Sequence, residues 1–269
     1  MPEGSSGGGA GHREGARRYA FLDWPAPIPF AHRGGAAEVG GENTLGAFGR
    51  AVAMGYRYLE TDGRITSDGI LLAFHDESLD RVTDLTGRLE DRPWSEVRHA
   101  KVGDEGEPIT TMEALLDAFP DSRFNIDPKM DAAVPPLVEA LRRTNSWDRV
   151  NIAAFSDRRL LQLRRAAGRP VCTSMGPAAI ARMRMAAYGA PVGPFSAACV
   201  QVPTSWKNRT IVDARFVKAA ARRGIPVHVW TIDEPAEINR LLDLGVGGIM
   251  TDRPSVLKQV MEERGQWVS

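Results

Sequence analysis

Side chains able to do acid–base and phosphate chemistry recur where apolar, strand-like runs of this chain end. Phe30-Ala31-His32-Arg33-Gly34 is followed by Glu42-Asn43-Thr44. Three further runs end the same way: Tyr58-Leu59-Glu60-Thr61-Asp62, Leu71-Leu72-Ala73-Phe74-His75-Asp76 and Phe124-Asn125-Ile126-Asp127-Pro128-Lys129. Glu60 and Asp62 stand two apart on a strand, so their side chains leave the same face. Two bare carboxylates inside a fold repel each other and resist ionisation unless a cation neutralises them. Asp127 offers a third oxygen donor. Three carboxylates with no cysteine beside them select a hard divalent cation, Mg²⁺ or Ca²⁺, over zinc. For the Glu60-x-Asp62 pair taken alone, two solvated hairpin carboxylates are the plainer reading.

His32 and His75 flank that cluster, and imidazole both takes and gives a proton near neutral pH, which suits general acid–base work. Arg33 and Lys129 add positive charge: arginine grips phosphate oxygens through its planar fork and lysine supplies a compact charge. A simple Asp127–Lys129 ion pair is the alternative. Acid, base, metal and two cations together suit a phosphate ester, whose developing charge they would stabilise. Trp230, in Val227-His228-Val229-Trp230, is either a core residue or a wall of the substrate pocket. His228 shares its strand face with Trp230, so a place in the same wall is open to it. His12 and His99 are weaker candidates, one in a Gly-rich N-terminal stretch and one in a long loop.

The elements that must position these groups alternate. Strands are expected at 28–33, 57–63, 70–75, 123–128, 150–155, 170–175, 198–203, 226–232 and 247–251. Helices are expected at 44–54, 111–118, 132–143, 157–167, 177–187, 212–223 and 234–243. Repeated strand–helix alternation predicts a parallel sheet, and this many units predicts closure into a (β/α)₈ TIM barrel. An open doubly wound sheet is disfavoured because no Gly-rich nucleotide loop follows the first strand. The ninth strand resolves at Asp68-Gly69, a two-residue hairpin turn. Segments 57–66 and 70–75 are thus expected to pair antiparallel, with Asp62 opposite His75, or Thr61 or Glu60 opposite it if the register slips. Either way His75 folds back beside the carboxylates. Residues 76–110 form the longest connection, with one short helix expected near Trp94–His99. A capping loop over the site is the preferred reading, solvated surface the other.

The 269 residues carry 34 Lys+Arg and 34 Asp+Glu, a formal net charge of zero. No global field favours nucleic acid or an anionic membrane, so anion binding must come from a local arrangement. The two cysteines, Cys172 and Cys199, lie in apolar runs and read as buried free thiols rather than a disulfide. Residues 1–24 read as a flexible tail without the apolar stretch of a secretory signal, and 25–269 as one barrel domain. No apolar run approaches the ~20 residues a bilayer span needs. A cytoplasmic protein is expected, and apolar side chains on the barrel helices leave room for a homodimer.

These motifs together resemble the glycerophosphodiester phosphodiesterases. The resemblance also draws on Thr66-x-Asp68-Gly69, Leu79-Asp80-Arg81-x-Thr83 with Gly87, Val229-Trp230-Thr231 and Gly245-Val246-Gly247-Gly248-Ile249-Met250-Thr251-Asp252-Arg253-Pro254, and so spans about residues 28–260. It implies a (β/α)₈ barrel that hydrolyses glycerophosphodiesters to sn-glycerol 3-phosphate and an alcohol with a divalent cation. Residue by residue it implies His32 and His75 as the acid–base pair, Glu60, Asp62 and Asp127 as metal ligands, and Arg33 and Lys129 as phosphate contacts. Glu42 would bind the metal through water or hold the glycerol. The family's nucleophile is a hydroxyl of the substrate's own glycerol, so no serine or cysteine is required. One departure is Asp127, where the family commonly carries glutamate. The alternatives are a lysophospholipase D-like activity on single-chain lipids, or a non-catalytic phosphate-ligand binder on the same barrel.

Overall fold

In the computed structural model, residues 19–25, 27–38 and 40–269 are described. The expected alternation is present. The chain runs β1 (Ile28–His32), α1 (Leu45–Ala53), β2 (Tyr58–Ile65), β3 (Leu71–Ala73), α2 (Trp94–Val97), β4 (Lys101–Val102), β5 (Glu107–Pro108), α3 (Met112–Ala118), β6 (Arg123–Pro128) and α4 (Val134–Arg143). It continues through β7 (Val150–Ile152), α5 (Asp157–Ala167), β8 (Cys172–Thr173), α6 (Pro177–Ala187), β9 (Val200–Val202), β10 (Ser205–Trp206), β11 (Arg209–Thr210) and α7 (Ala214–Ala221). The last elements are β12 (Val227–Val229), α8 (Pro235–Asp243), β13 (Gly248–Thr251) and α9 (Pro254–Glu263). Helix α9 lies beyond the expected set. Pro254 opens it, and buried Leu257, Val260 and Met261 give it one apolar face.

Eight parallel strands follow the order β8-β7-β6-β2-β1-β13-β12-β9. A parallel bridge from Ser174 to Cys199 joins β8 to β9 and closes the barrel. The register carries the site. His32 pairs with Glu60, Glu60 with Asn125, and Asp62 with Asp127, so side chains far apart in sequence lie in adjacent rows of the inner wall. Two apolar layers hold this wall in place. Ile28, Phe30, Tyr58, Cys172, Cys199 and Met250 fill the barrel floor, while a larger layer packs strands against helices. Both cysteines are buried free thiols. Within the stretch assigned to the tail, residues 1–18 lie outside the described residues. Ala20–Leu22, however, form a 3-10 turn whose Phe21 and Leu22 are buried in the floor, and the Tyr58 hydroxyl donates to the Phe21 carbonyl at 2.5 Å.

The hairpin forms with a different turn and register from the first expectation. β2 pairs antiparallel with β3 as Gly63↔Ala73, Arg64↔Leu72 and Ile65↔Leu71. The Thr66 N–H donates to the Ile70 carbonyl at 3.0 Å, leaving a three-residue loop, Ser67-Asp68-Gly69, with Gly69 at φ 83°. A left-handed glycine at the third loop position favours this longer turn over the two-residue one. The register is thus the one-residue slip that aligns Thr61 with His75, although the ladder itself stops at Ala73.

The 76–110 connection is a folded insertion rather than solvated surface. Leu79, Leu89, Val97, Ala100, Val102 and Ile109 bury a small core of their own against Leu72 and Phe74. Among the described residues, no helix is long and apolar enough to cross a membrane.

Candidate active site

A cavity of about 180 Å³ opens at the C-terminal ends of the barrel strands. His32, Arg33, Glu60, Asp62, His75, Asp127, Lys129 and Trp230 all line it. That mouth is where (β/α)₈ enzymes carry their chemistry.

The turn after β1 aims two of these groups. Arg33 sits at φ 52°, followed by Gly34 at φ 87° and Gly35 at φ 97°. A Cβ on Gly34 would lie 2.8 Å from the Ala47 Cβ, and one on Gly35 would lie 2.5 Å from Pro254, so only glycine lets the chain turn this closely. The Arg33 N–H donates to the Glu60 carbonyl at 2.9 Å, locking the turn to β2. Its side chain then reaches Asp62 at 3.2 Å and Glu42 at 3.1 Å.

Each histidine is held through Nδ1 by its own carboxylate. His32 Nδ1 lies 2.6 Å from Asp252 Oδ1, and its Nε2 is 3.6 Å from Glu60. His75 Nδ1 lies 2.5 Å from Asp76 Oδ1. Asp76 is fixed by Arg81 at 2.5 Å, and Arg81 forks onto both oxygens of Glu42 at 2.7 and 2.9 Å. The chain His75–Asp76–Arg81–Glu42–Arg33–Asp62 therefore ties the insertion to the inner wall. Asp252, Asp76 and Arg81 belong to the sequence motifs, but their spacing alone assigns them no role. Asp252 carries the same signal as the others, since it directly follows the strand β13.

The two imidazoles are tuned apart. Burial by itself depresses His32, but the charges of Glu60 and Asp252 and the Asp252 hydrogen bond outweigh it and raise its pKa. Burial dominates at His75 and lowers its pKa, against the pull of Asp62 and Asp76. Among the carboxyls, burial and the neighbouring Asp62 push Glu60 up to about 7. Burial opposes ionisation of Asp62 too, yet Lys129 and Arg33 hold it below the usual carboxylate range. Burial raises Asp127, with Lys129 only partly offsetting it.

Lys129 bridges Asp62 at 2.7 Å and Asp127 at 2.8 Å, so the simple ion pair is real but extends to a second carboxylate. Among the described residues, no three carboxylate or imidazole groups converge on one point as a metal-binding group. The donor set nevertheless suits a cation. Asp127 Oδ1 is buried without a hydrogen-bond partner, and both Glu60 and Asp127 are held toward their neutral forms for want of positive charge.

Two residues stand apart from the cavity lining. Glu42 stands directly behind the lining residue Arg33, which donates to its carboxylate at 3.1 Å while Arg81 donates at 2.7 Å. His228 is not in the pocket wall either. It is fully buried deeper in the barrel, where Nδ1 lies 3.3 Å from Gln201 Nε2, and burial drives its pKa down to about 3. Trp230 does form wall, its ring meeting that of Phe155 edge-on at 5.4 Å and 85°.

Comparison with known proteins agrees with this geometry. Residues 32–256 match the Glycerophosphoryl diester phosphodiesterase family. A Mycobacterium tuberculosis protein named probable glycerophosphodiester phosphodiesterase 2 is 37% identical over 261 residues, covering 94% of this chain and 97% of that one. Human lysophospholipase D GDPD1 is 26% identical over 267 residues, covering 86% and 85%. An Oleispira antarctica phosphodiesterase, solved with the product sn-glycerol-3-phosphate, shares the fold at a TM-score of 0.75 and 20% identity, covering 88% of this chain and 97% of that one. The family match spans most of the chain and includes both histidines and every carboxylate lining the cavity. This chain belongs to the glycerophosphoryl diester phosphodiesterase family.

Proposed function

We propose that this enzyme, a glycerophosphodiester phosphodiesterase, cleaves glycerophosphodiesters to sn-glycerol 3-phosphate and an alcohol with His32 and His75 as its acid–base pair. The observation that carries the reading is the pair of imidazoles, each tied through Nδ1 to a separate carboxylate, with both rings facing one cavity beside Arg33 and Lys129. Their opposite tuning divides the roles. His75, lowered, is free to take the proton from the attacking hydroxyl of the substrate's glycerol. His32, raised, carries the proton that the departing alkoxide needs, and water then opens the cyclic phosphate left behind to give sn-glycerol 3-phosphate. Arg33 and Lys129 meet the phosphoryl oxygens. Glu60, Asp62 and Asp127 would hold a divalent cation, Mg²⁺ or Ca²⁺, which supplies positive charge to the phosphoryl group when bound. Aspartate at 127 reaches one methylene less far than glutamate, which favours contact through water at that position.

The test is release of sn-glycerol 3-phosphate from glycerophosphocholine, assayed with Mg²⁺, Ca²⁺ and Mn²⁺ and after chelation. Turnover that stops on chelation supports the reading. Tight binding without turnover under every metal contradicts it and revives the non-catalytic binder.

A lysophospholipase D-like reading has one observation in its favour: Phe155, Met175, Pro177, Ile180 and Trp230 make one side of the cavity apolar. Faster turnover of lysophosphatidylcholine than of glycerophosphocholine would establish it.

A further inference from the structure

Charge that cancels over the whole chain does not cancel locally. Between Phe155 and Ile232 the sequence holds thirteen lysines and arginines against two carboxylates, Asp157 and Asp213. Asp213 is taken by Arg184 at 2.6 Å, and the Asp157 carboxylate accepts the Ala178 N–H at 3.0 Å. Six of the cations, Lys207, Arg209, Arg215, Lys218, Arg222 and Arg223, are exposed, and none has a carboxylate partner among the described residues. They run along α7 and the β10–β11 ribbon, on one flank of the barrel.

The same stretch carries most of the exposed apolar surface. Of the eight large apolar side chains exposed among the described residues, Phe155, Leu161, Met185, Tyr188 and Trp206 fall within it. The ribbon is the clearest case. All six residues from Ser205 to Thr210 are exposed, so packing against the barrel does not account for it. Lys207 at φ 46° and Asn208 at φ 61° make its tight turn, which leaves Trp206 57% exposed between two cations. The ribbon rises from the C-terminal end of β9, a few residues after Gln201 in the cavity wall. Tyr188 continues the pattern beside α7, with Arg184 and Arg215 stacked 5.0 and 5.8 Å from its ring.

We propose that this flank is a docking surface for an anionic phospholipid bilayer, with Trp206 and Tyr188 in the interfacial layer and the α7 and ribbon cations against headgroup phosphates. Exposed aromatics set among unpaired cations are the composition of interfacial binding. A nucleic acid would use the cations but has no place for the exposed Met185 beside Tyr188, and a second copy of this flank would be repelled by like charge. The proposal is independent of the catalytic reading, since it invokes none of the residues of the cavity's polar side.

Co-sedimentation of the full chain with vesicles tests it, comparing phosphatidylcholine alone with phosphatidylcholine plus phosphatidylglycerol. Binding is expected only with the anionic lipid, falling as salt is raised. Each cation reversed in Lys207→Glu/Arg209→Glu should cut partitioning roughly five-fold. Trp206→Ala should weaken what binding survives at high salt. A thermal midpoint equal to the parent's verifies folding of each variant, and Lys218→Glu/Arg222→Glu provides a second pair on a different element. Equal sedimentation with neutral vesicles, no sedimentation with anionic ones, or unchanged binding by a folded charge-reversed pair overturns the proposal. So does tighter binding to duplex DNA than to anionic vesicles.

Discussion

Around the cavity, β1, β2, β6 and the turn ends that follow them contribute His32, Arg33, Glu60, Asp62, Asp127 and Lys129, whereas the loops after β7, β8 and β12 contribute Ala154, Phe155, Met175, Pro177 and Trp230. The first side is held by register and by ion pairs of 2.6–3.6 Å. The second makes ring contacts and leaves Phe155 59% exposed. The difference teaches where each task is placed. His32, Glu60, Asp62 and Asp127 lie on strands and Arg33, His75 and Lys129 within two residues of a strand end, where paired backbone and ion pairs limit their freedom. The apolar groups sit on loops, where side chains can change without disturbing the wall, and in the proposed reading they are the ones that meet the variable alcohol.

The comparison is broken most directly at the imidazoles. His32→Ala or His75→Ala should each lower kcat by roughly 10³-fold, since acid–base groups contribute on the order of 10²–10⁴. A smaller effect is expected one step back. Asp252→Asn keeps a hydrogen-bond acceptor near His32 but removes the charge that helps to raise its pKa. A fall in kcat of roughly 10², with KM nearly unchanged, is expected from steady-state kinetics. A drop in KM as large as that in kcat would remove Asp252 from this role.

Below the cavity, His228 separates fold from function. Its folded pKa is near 3 against about 6.5 unfolded, so at pH 5 the unfolded chain binds a proton that the folded chain refuses. Stability contributed by this group is complete above the unfolded value and is lost as pH falls from there toward 3. Urea unfolding should show about 2 kcal/mol lost from this group between pH 7 and pH 5, and His228→Gln should flatten that slope. An equal slope in the variant would contradict the assignment. The mildest of these changes is Arg81→Lys, which replaces a fork touching two carboxylates by a point charge. About a ten-fold loss of kcat/KM is expected, confined to the chemistry side and leaving the preference among alcohols unaltered.

Much of this arrangement was legible before any coordinates. The nine strand segments, the barrel and the cluster of His32, His75, Glu60, Asp62, Asp127, Arg33 and Lys129 follow from apolar runs that end in ionisable residues. What escaped depends on distance in space. Asp252 lies 220 residues from His32, so only the adjacency of β1 and β13 brings them together. Arg81 is 39 residues beyond Glu42, and its claim on that carboxylate leaves no trace in sequence spacing. His228 alternates in phase with Trp230, and period alone cannot say how deep in a barrel a residue sits. The basic flank escaped for a simpler reason: a net charge of zero averages over two opposed regions.

The division of labour is tested most directly by the ratio of kcat/KM for glycerophosphocholine to that for lysophosphatidylcholine, measured in the parent, His75→Ala and Phe155→Ala. His75→Ala should depress both values together and leave the ratio where it was, while Phe155→Ala should shift the ratio and leave kcat on glycerophosphocholine intact. A ratio that moves with His75, or a Phe155 variant that loses kcat on both substrates alike, would contradict the account.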